Sequence, residues 1–370
     1  MGRTPNRLPN YLQVKDITNW NENADYVIYK STTTTFARNG RTGVIDKESS
    51  NSGTVLKWVN DALTAGGRVY IKPGTYTIES ALVLDQASVT WEGANLGTAV
   101  THGVTKLQHK AATAIGNMIT VSDYNICMRH LFIDGNVANG SAGYTNLSWS
   151  GTDGIIEDMG IMYSPARGID ISGNYLRVNN LAVELNTTYG IKVLGNGNIF
   201  YGSGATVGNT YGCQLEAGAS FNKFIGCNFL QNTHSQFTMY SAEGICRGNV
   251  LQGCVIGGGA GTAEHGIYSL GGQENIIIGN TFIDCGDKTD DTYDAILLDT
   301  DSTNFSTYNI IHGNMFLSDD AKKTRYAINE AAAGDDYNSV IGNVWKNMDT
   351  GGYHKQGINS IDQLNEGTVV

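Results

Sequence analysis

Apolar and polar residues alternate along this chain with a period of two, in short runs closed by Gly, Asn or Asp, and no long helical pattern interrupts them. One phrase returns five times, at Asn222–Phe229, Asn249–Ile256, Asn275–Phe282, Asn309–Phe316 and Asn338–Trp345, with starts 27, 26, 34 and 29 residues apart. That is the period of a solenoid whose insertions are absorbed in loops, so one repeat is one coil. Each copy is rich in β-branched and aromatic residues on either side of a Gly and is too short for a helix, which predicts strand, sharp bend, strand. On the same frame His130, Asp158 and Asn180 fall at the Gly position. Gly, Asn, Asp and His are the residues that best tolerate positive φ, so a left-handed bend explains why they share a column, and the repeat starts near residue 125. After the bend come Asn280, Asn314 and Asn343, with Cys227 and Cys254 in the same place. Coils stacked about 4.8 Å apart turn these into an internal ladder, in which each Asn bonds the backbone of the next coil and Cys merely packs. Two residues further on, Phe229, Ile256, Phe282, Phe316 and Trp345 are expected to fill the core.

A second strand type recurs between these phrases, from Gly168–Ser172 to Ala327–Ala331, with Ile169, Ile191, Cys213, Phe237, Ile267, Ile296 and Ile328 inward and the residues after them outward. Together that gives three strands per coil. Upstream, Val55, Trp58, Val59 and Leu63 share one helical face, which predicts a short helix that caps the open end of the solenoid and blunts its unpaired edge. Residues 25–46 predict one hairpin with an Asn39-Gly40 turn. The expected organisation is a polar arm carrying that hairpin over residues 1–50, the solenoid over 51–350, and a C-terminal tail or cap over 351–370.

The 47 glycines and four prolines among 370 residues fit one elongated β domain, long enough to bury a large core. A net charge of -11 with a pI near 5.0 argues against nucleic acid and anionic membranes as partners. No apolar run reaches the length of a signal peptide or a membrane span. The six cysteines lack metal-like spacing and fall mostly at inward or ladder positions, so they are expected reduced and buried, with a Cys227–Cys254 bond across neighbouring coils as the geometric alternative.

The helix, the segment Gly66–Ile78 reading GGRVYIKPGTYTI, and Val89–Thr98 reading VTWEGANLGT closely resemble the N-terminal signature of the pectate-lyase superfamily. With the Asn ladders the resemblance covers roughly residues 50–350. It implies an all-β fold, a single-stranded right-handed parallel β-helix with an N-terminal capping helix. That superfamily holds lyases, polygalacturonase-type hydrolases, fructotransferases, uronan epimerases and phage tailspikes, so the reaction is left open. The resemblance also implies a substrate groove along the second strand type, where the richest outward patch is Asp170, Lys192, Gln214 and Glu216. Glycoside hydrolysis needs two carboxyl groups, roughly 5 to 5.5 Å apart for retention and 6.5 to 9.5 Å for inversion; Asp170 and Glu216, two coils or about 9.6 Å apart in rise, favour inversion. Lys192 between them is expected to hold Asp170 ionised and leave Glu216 as the acid. Arg167, Tyr189, Tyr211, His265 and Tyr326 at the strand edges, with Gln214, Tyr240 and Tyr268, are the candidate sugar contacts, since aromatic faces suit sugar rings and Arg suits uronate carboxylates. The competing explanations are ordinary surface ion pairs and rings that only cover the coil below.

Asp153, in Gly151-Thr-Asp-Gly154, is similar to the NTDG element of polygalacturonases, but the paired acids and the later histidine and basic elements of that family do not accompany it. Lys192 and Arg167 are the candidate bases for a lyase. No cofactor is required, and the acidic loop with Asp287, Asp290, Asp291 and Asp294 is the calcium candidate, oxygen-rich without the spacing of a known calcium loop. The leading expectation is a carbohydrate-active glycoside hydrolase acting on an extended polysaccharide or oligosaccharide, extracellular or on a virion surface. The alternatives are a polysaccharide lyase, and a non-catalytic tailspike or adhesin assembled as a homotrimer.

Overall fold

The computed structural model describes residues 24–94, 104–110, 116–138, 143–241, 244–258, 264–286, 288–289, 291–300, 303–318 and 324–369. Residues 1–23 of the expected arm, 95–98 of the VTWEGANLGT segment, Asp287 and Asp290 lie outside them. The chain winds into a right-handed parallel β-helix. Among the described residues each full coil lays one strand on a short sheet of 11 strands and two on a long sheet of 25. The alternation sets the registers: Ile169, Ile191, Cys213, Phe237, Ile267, Ile296 and Ile328 stack coil on coil in the short sheet. In the long sheet Lys223, Val250, Ile276, Ile310 and Ser339 do the same.

The bend column is left-handed throughout, with φ of 61 to 64° at Gly226, Gly253, Gly279, Gly313 and Gly342, and 55°, 50° and 49° at His130, Asp158 and Asn180. A Cβ added at Gly226, Gly253, Gly279 or Gly313 meets nothing within 4 Å, so the dihedral, and not a lack of room, selects glycine there. Gly202 and Leu364, both at φ 54°, bend one coil that the repeat pattern passes over and one beyond its end.

Inside the bend the expected ladder forms: the backbone N–H groups of Cys254, Asn280 and Asn314 donate to the side-chain oxygens of Asn280, Asn314 and Asn343 at 2.8, 2.9 and 2.9 Å. Cys227 and Cys254 are free thiols packed against the Phe200 and Phe224 carbonyls. A second ladder, not anticipated, uses the Asn that opens each phrase. The N–H groups of Asn198, Asn222, Asn249, Asn275 and Asn309 each donate to the side chain of the next Asn at 3.0 Å. Both ladders satisfy backbone groups at turns that no strand partner reaches. Between them Phe200 stacks on Phe224 at 4.5 Å, and just past the bend ladder Phe282 stacks on Phe316 at 4.6 Å; Trp345 ends that second stack only partly buried.

The cap is the helix Ser52–Ala62, whose Asn51 side chain accepts the Thr54 N–H at 3.3 Å. Val55, Leu56 and Val59 are buried beneath it, and Trp58 meets Tyr26 edge-on at 5.6 Å. The N-terminal strands depart from the single expected hairpin. Tyr26–Ser31 pairs antiparallel with Thr34–Asn39, which pairs antiparallel with Ile45–Ser49, so the Asn39-Gly40 turn serves the second of two hairpins. Tyr26–Ser31 also runs parallel to Gly67–Ile71, which joins this segment to the coil stack. At the other end Gly351–His354, Ile361–Gln363 and Glu366–Val369 continue the stack past residue 350.

Candidate functional site

The outward residues of the short sheet form one register column: Ser148, Asp170, Lys192, Gln214, Thr238, Tyr268, Leu297, Asn329 and His354. Gln214, Thr238, Leu297 and Asn329 are buried, so flanking segments cover much of this face, while Leu194 and Tyr240 beside them stay exposed. The charged patch pairs differently from the expectation. Lys192 Nζ reaches Glu216 Oε1 at 2.6 Å, and Gln214 donates to the same oxygen at 2.8 Å. Asp170 Oδ2 is held by Arg167 at 2.8 Å instead. Lys192 therefore serves Glu216 and not Asp170: its long stem crosses to the next coil and reaches the carboxylate two residues past Gln214, in the neighbouring row. Asp170 Oδ1 and Thr238 Oγ1, in the same column, are buried without a hydrogen-bond partner.

At the edge of the sheet, rings stack on one another. Tyr189 lies on Tyr211 at 5.1 Å, Tyr211 on His234 at 5.0 Å, and Lys192 and Arg167 stand over Tyr189 at 5.5 and 5.9 Å. The faces expected to meet sugar rings are thus occupied by neighbouring coils and cations, leaving edges and hydroxyl groups outward. Burial, the largest influence, pushes the Tyr189 hydroxyl up. His265 does not reach outward: it packs on Tyr268 at 5.6 Å and against Tyr293 at 5.2 Å, its Nδ1 accepts the Asp294 N–H, and burial pushes its pKa down. Tyr268 donates to Asp299 at 3.1 Å, and burial together with that carboxylate raises its hydroxyl.

His234 escaped the sequence reading because it sits one residue earlier than the edge positions of the other coils. It shares Glu264 with Lys288, both at 2.6 Å. Burial alone raises the Glu264 carboxyl, but the bonds from Lys288 and His234 outweigh it and hold it below its ordinary value. In the acidic loop Asp294 is fully buried, gripped by Arg325 at 2.9 and 2.7 Å and by Asn329 at 2.9 Å, so its oxygens are spent on structure; Asp291 accepts from Thr350. Asp153 lies at a different corner of the coil, with φ of 55°.

The chain resembles known proteins mainly in fold. The profile of the family described as "Periplasmic copper-binding protein (NosD)" matches residues 145–361. No curated protein matches in sequence. Among solved structures, the A-module of Azotobacter vinelandii mannuronan C-5 epimerase AlgE6 is 18% identical with a TM-score of 0.64, covering 85% of this chain and 95% of that one. DFA-IIIase from Arthrobacter chlorophenolicus A6 is 12% identical with a TM-score of 0.55, covering 86% and 85%. The Dettilon tailspike protein is 11% identical with a TM-score of 0.55, covering 79% and 62%. At these identities the likeness is one of fold.

Proposed function

The chain belongs to the NosD family of β-helix proteins, and on that fold we propose that it acts on an extended polysaccharide lying along the outer face of the short sheet, outside the cell or on a virion surface. The observation that carries this reading is the pair of orphaned acceptors, Asp170 Oδ1 and Thr238 Oγ1, in one outward column beside Lys192 and Glu216. A buried acceptor without a partner suits a site where a ligand hydroxyl or a reacting water supplies the missing donor. The epimerase, the DFA-IIIase and the tailspike named above share this fold, which supports the carbohydrate theme. The reaction proposed is inverting hydrolysis. Asp170, steadied by Arg167, takes the proton of the attacking water; Glu216, which takes up a proton from solvent once an acidic sugar draws Lys192 away, passes that proton to the leaving oxygen.

Copper takes soft thiolate, thioether or imidazole ligands. Cys213, Cys227 and Cys254 are sealed in the core, burial pushes the Cys213 thiol up, and among the described residues no three His, Cys, Asp or Glu side chains gather to hold a metal ion. The described His, Cys, Asp and Glu residues form no cluster that fits the copper of the family's description.

The test is to incubate the protein with acidic and neutral polysaccharides and follow new reducing ends and absorbance from unsaturated uronate. Hydrolysis gives reducing ends without absorbance and is lost in Asp170→Asn and Glu216→Gln; absorbance would replace it with elimination. A second reading, a self-associating glycan-binding spike or adhesin, is favoured by one feature. The outward positions of the long sheet from residue 250 to 344 carry Val250, Ile276, Ile310, Met315 and Val344 and no acid, Lys or Arg. Copies of a chain with net charge -11 repel one another less there than elsewhere. Sedimentation decides it: a trimer that Val344→Glu converts to monomer supports the spike, and a monomer at tens of micromolar sinks it.

A further inference from the structure

Around the corner from the short sheet, where each coil turns into the long sheet, a column of residues is held at positive φ. Four of them are aromatic: Tyr175, Phe221, Tyr308 and Tyr337, at φ 58 to 60°. Bulky side chains are genuine outliers in that region, and fold stability gives little reason to keep them, since each ring is at least half exposed, with 63% at Tyr175 and 57% at Phe221. The rings lie over the next coil. A Cβ on Gly197 would stand 2.8 Å from the Tyr175 ring, and one on Gly248 would stand 2.6 Å from the Phe221 ring. Two residues after the first two aromatics come Arg177 and Lys223, both exposed and, among the described residues, without an ion pair or side-chain hydrogen bond. Arg68, Lys106, Arg129, Arg167 and Lys192 on the same coils or earlier ones are all paired. Arg177 and Tyr175 line a cleft of about 470 Å³ with Asn125 and Asp153.

We propose that this corner is a binding track for an anionic glycan, one that bears carboxylate or sulfate groups. Arg177 and Lys223 stand in one register column two coils apart, about 9.6 Å of rise, and take successive anionic groups. Asp153 and Asn125 accept and donate to hydroxyl groups, and the exposed rings pack on sugar C–H surfaces. The track deepens the polysaccharide reading by adding a second contact outside the short-sheet face and by specifying an acidic chain.

The experiment measures binding of the full chain to polygalacturonate, dextran sulfate, neutral dextran and a thymidylate oligomer, at low and high salt. Binding to one or both anionic glycans, weakened about tenfold by Arg177→Gln with Lys223→Gln and by added salt, supports the track, and which polymer binds tells carboxylate from sulfate. Both cations are exposed and unpaired, so this variant keeps the fold. Tyr175→Asn gives a readout that a structural role cannot mimic, because Asn tolerates positive φ: it raises Tm while weakening glycan binding. Unchanged affinity in the double variant overturns the proposal, as does tighter binding of the thymidylate oligomer. Arg167→Gln with Lys192→Gln separates the two readings. If that pair alone abolishes binding, the corner fails and the short-sheet site stands; if the corner pair alone does, the short-sheet site fails.

Discussion

The long sheet presents two chemistries on one scaffold. Over its early coils the outward side chains form a charged lattice: Glu92 holds Arg68 and Arg129, Arg129 leans toward Glu157, His130 stands between Glu92 and Asp158, and Lys106 pairs with Asp134. Over the late coils the columns of Arg68 and Lys106 carry Val250, Ile276, Ile310 and Met315, the last two 43% exposed, and the column of Glu92 and Arg129 carries Gln252, Ile278 and His312. The bend dihedrals scarcely change between the two, from 49 to 55° at Asn180, Asp158 and His130 to 61 to 64° at the late glycines. Inward residues and ladders therefore fix the coil, and outward residues are free to specify what meets it. Natural monomers seldom leave such an apolar surface open.

The comparison implies that breaking the shared framework costs more than editing either surface. Asn275→Ala is the most damaging change. Its side chain accepts from the Asn249 N–H and amide at 3.0 and 3.1 Å and donates to the Cys246 carbonyl and Asn309 at 3.2 Å, so its loss leaves buried groups unpaired. We expect about 3 to 5 kcal/mol of destabilisation in urea titration. Asn198→Ala, nearer the charged coils, is expected to cost a similar amount, since Asn198 accepts from Leu176 at 2.8 Å and donates to Gly173. A cost below half that of Asn275→Ala would show that the framework is not shared equally.

Acid sharpens the contrast, with effects of up to about 1.4 kcal/mol per pH unit for each group. Burial raises the Glu92 carboxyl, but bonds from Arg68 and Arg129 outweigh it and hold it below its ordinary value. A folded value below the unfolded one gives stability that is present above about 4.5 and lost as pH falls through the folded value. Asp335, fully buried in the late coils, behaves in the opposite sense: burial lifts it from 3.8 to about 6 despite bonds from the Ser306 and Ala332 N–H groups. Its contribution is complete below 3.8 and lost as pH rises through about 6. Amide exchange followed from pH 7 to 4 should show late coils gaining protection first. Asp335→Asn should remove that gain and leave the acid loss of the early coils intact.

How much of this was legible in the sequence depends on what each residue had to satisfy. Gly226, Asp158 and Asn180 announced the bend because only a few residue types accept that dihedral. The ladder of Asn280, Asn314 and Asn343 followed from its place after the bend glycine, yet the equal ladder through Asn222, Asn249 and Asn275 did not, although its residues head every phrase, because no residue with a demanding dihedral marks a bend beside them in the phrase itself. The site was legible in its register and not in its pairing. Period two places Asp170, Lys192 and Gln214 in line, but it says nothing about which way a long side chain leans, and Lys192 leans to Glu216. His234 joined the ring stack by a shift of one residue in a loop, where periodicity gives no address.

The smallest expected effect is the one that most directly tests the division between framework and surface. Ile310 is 43% exposed and its side chain points outward between Ile276 and Ser339, while its backbone N–H donates to the Asn275 carbonyl at 2.8 Å, a bond that a substitution leaves in place. Ile310→Glu should change monomer stability by less than about 1 kcal/mol, the cost of β-propensity and some side-chain packing on an open sheet face. Were that outer surface part of the core that holds the coils, the loss would approach the several kcal/mol typical of a buried isoleucine. Urea titration at low protein concentration, where association cannot contribute, separates the two: a loss of about 3 kcal/mol would move Ile310 from surface to framework and erase the contrast with the charged coils.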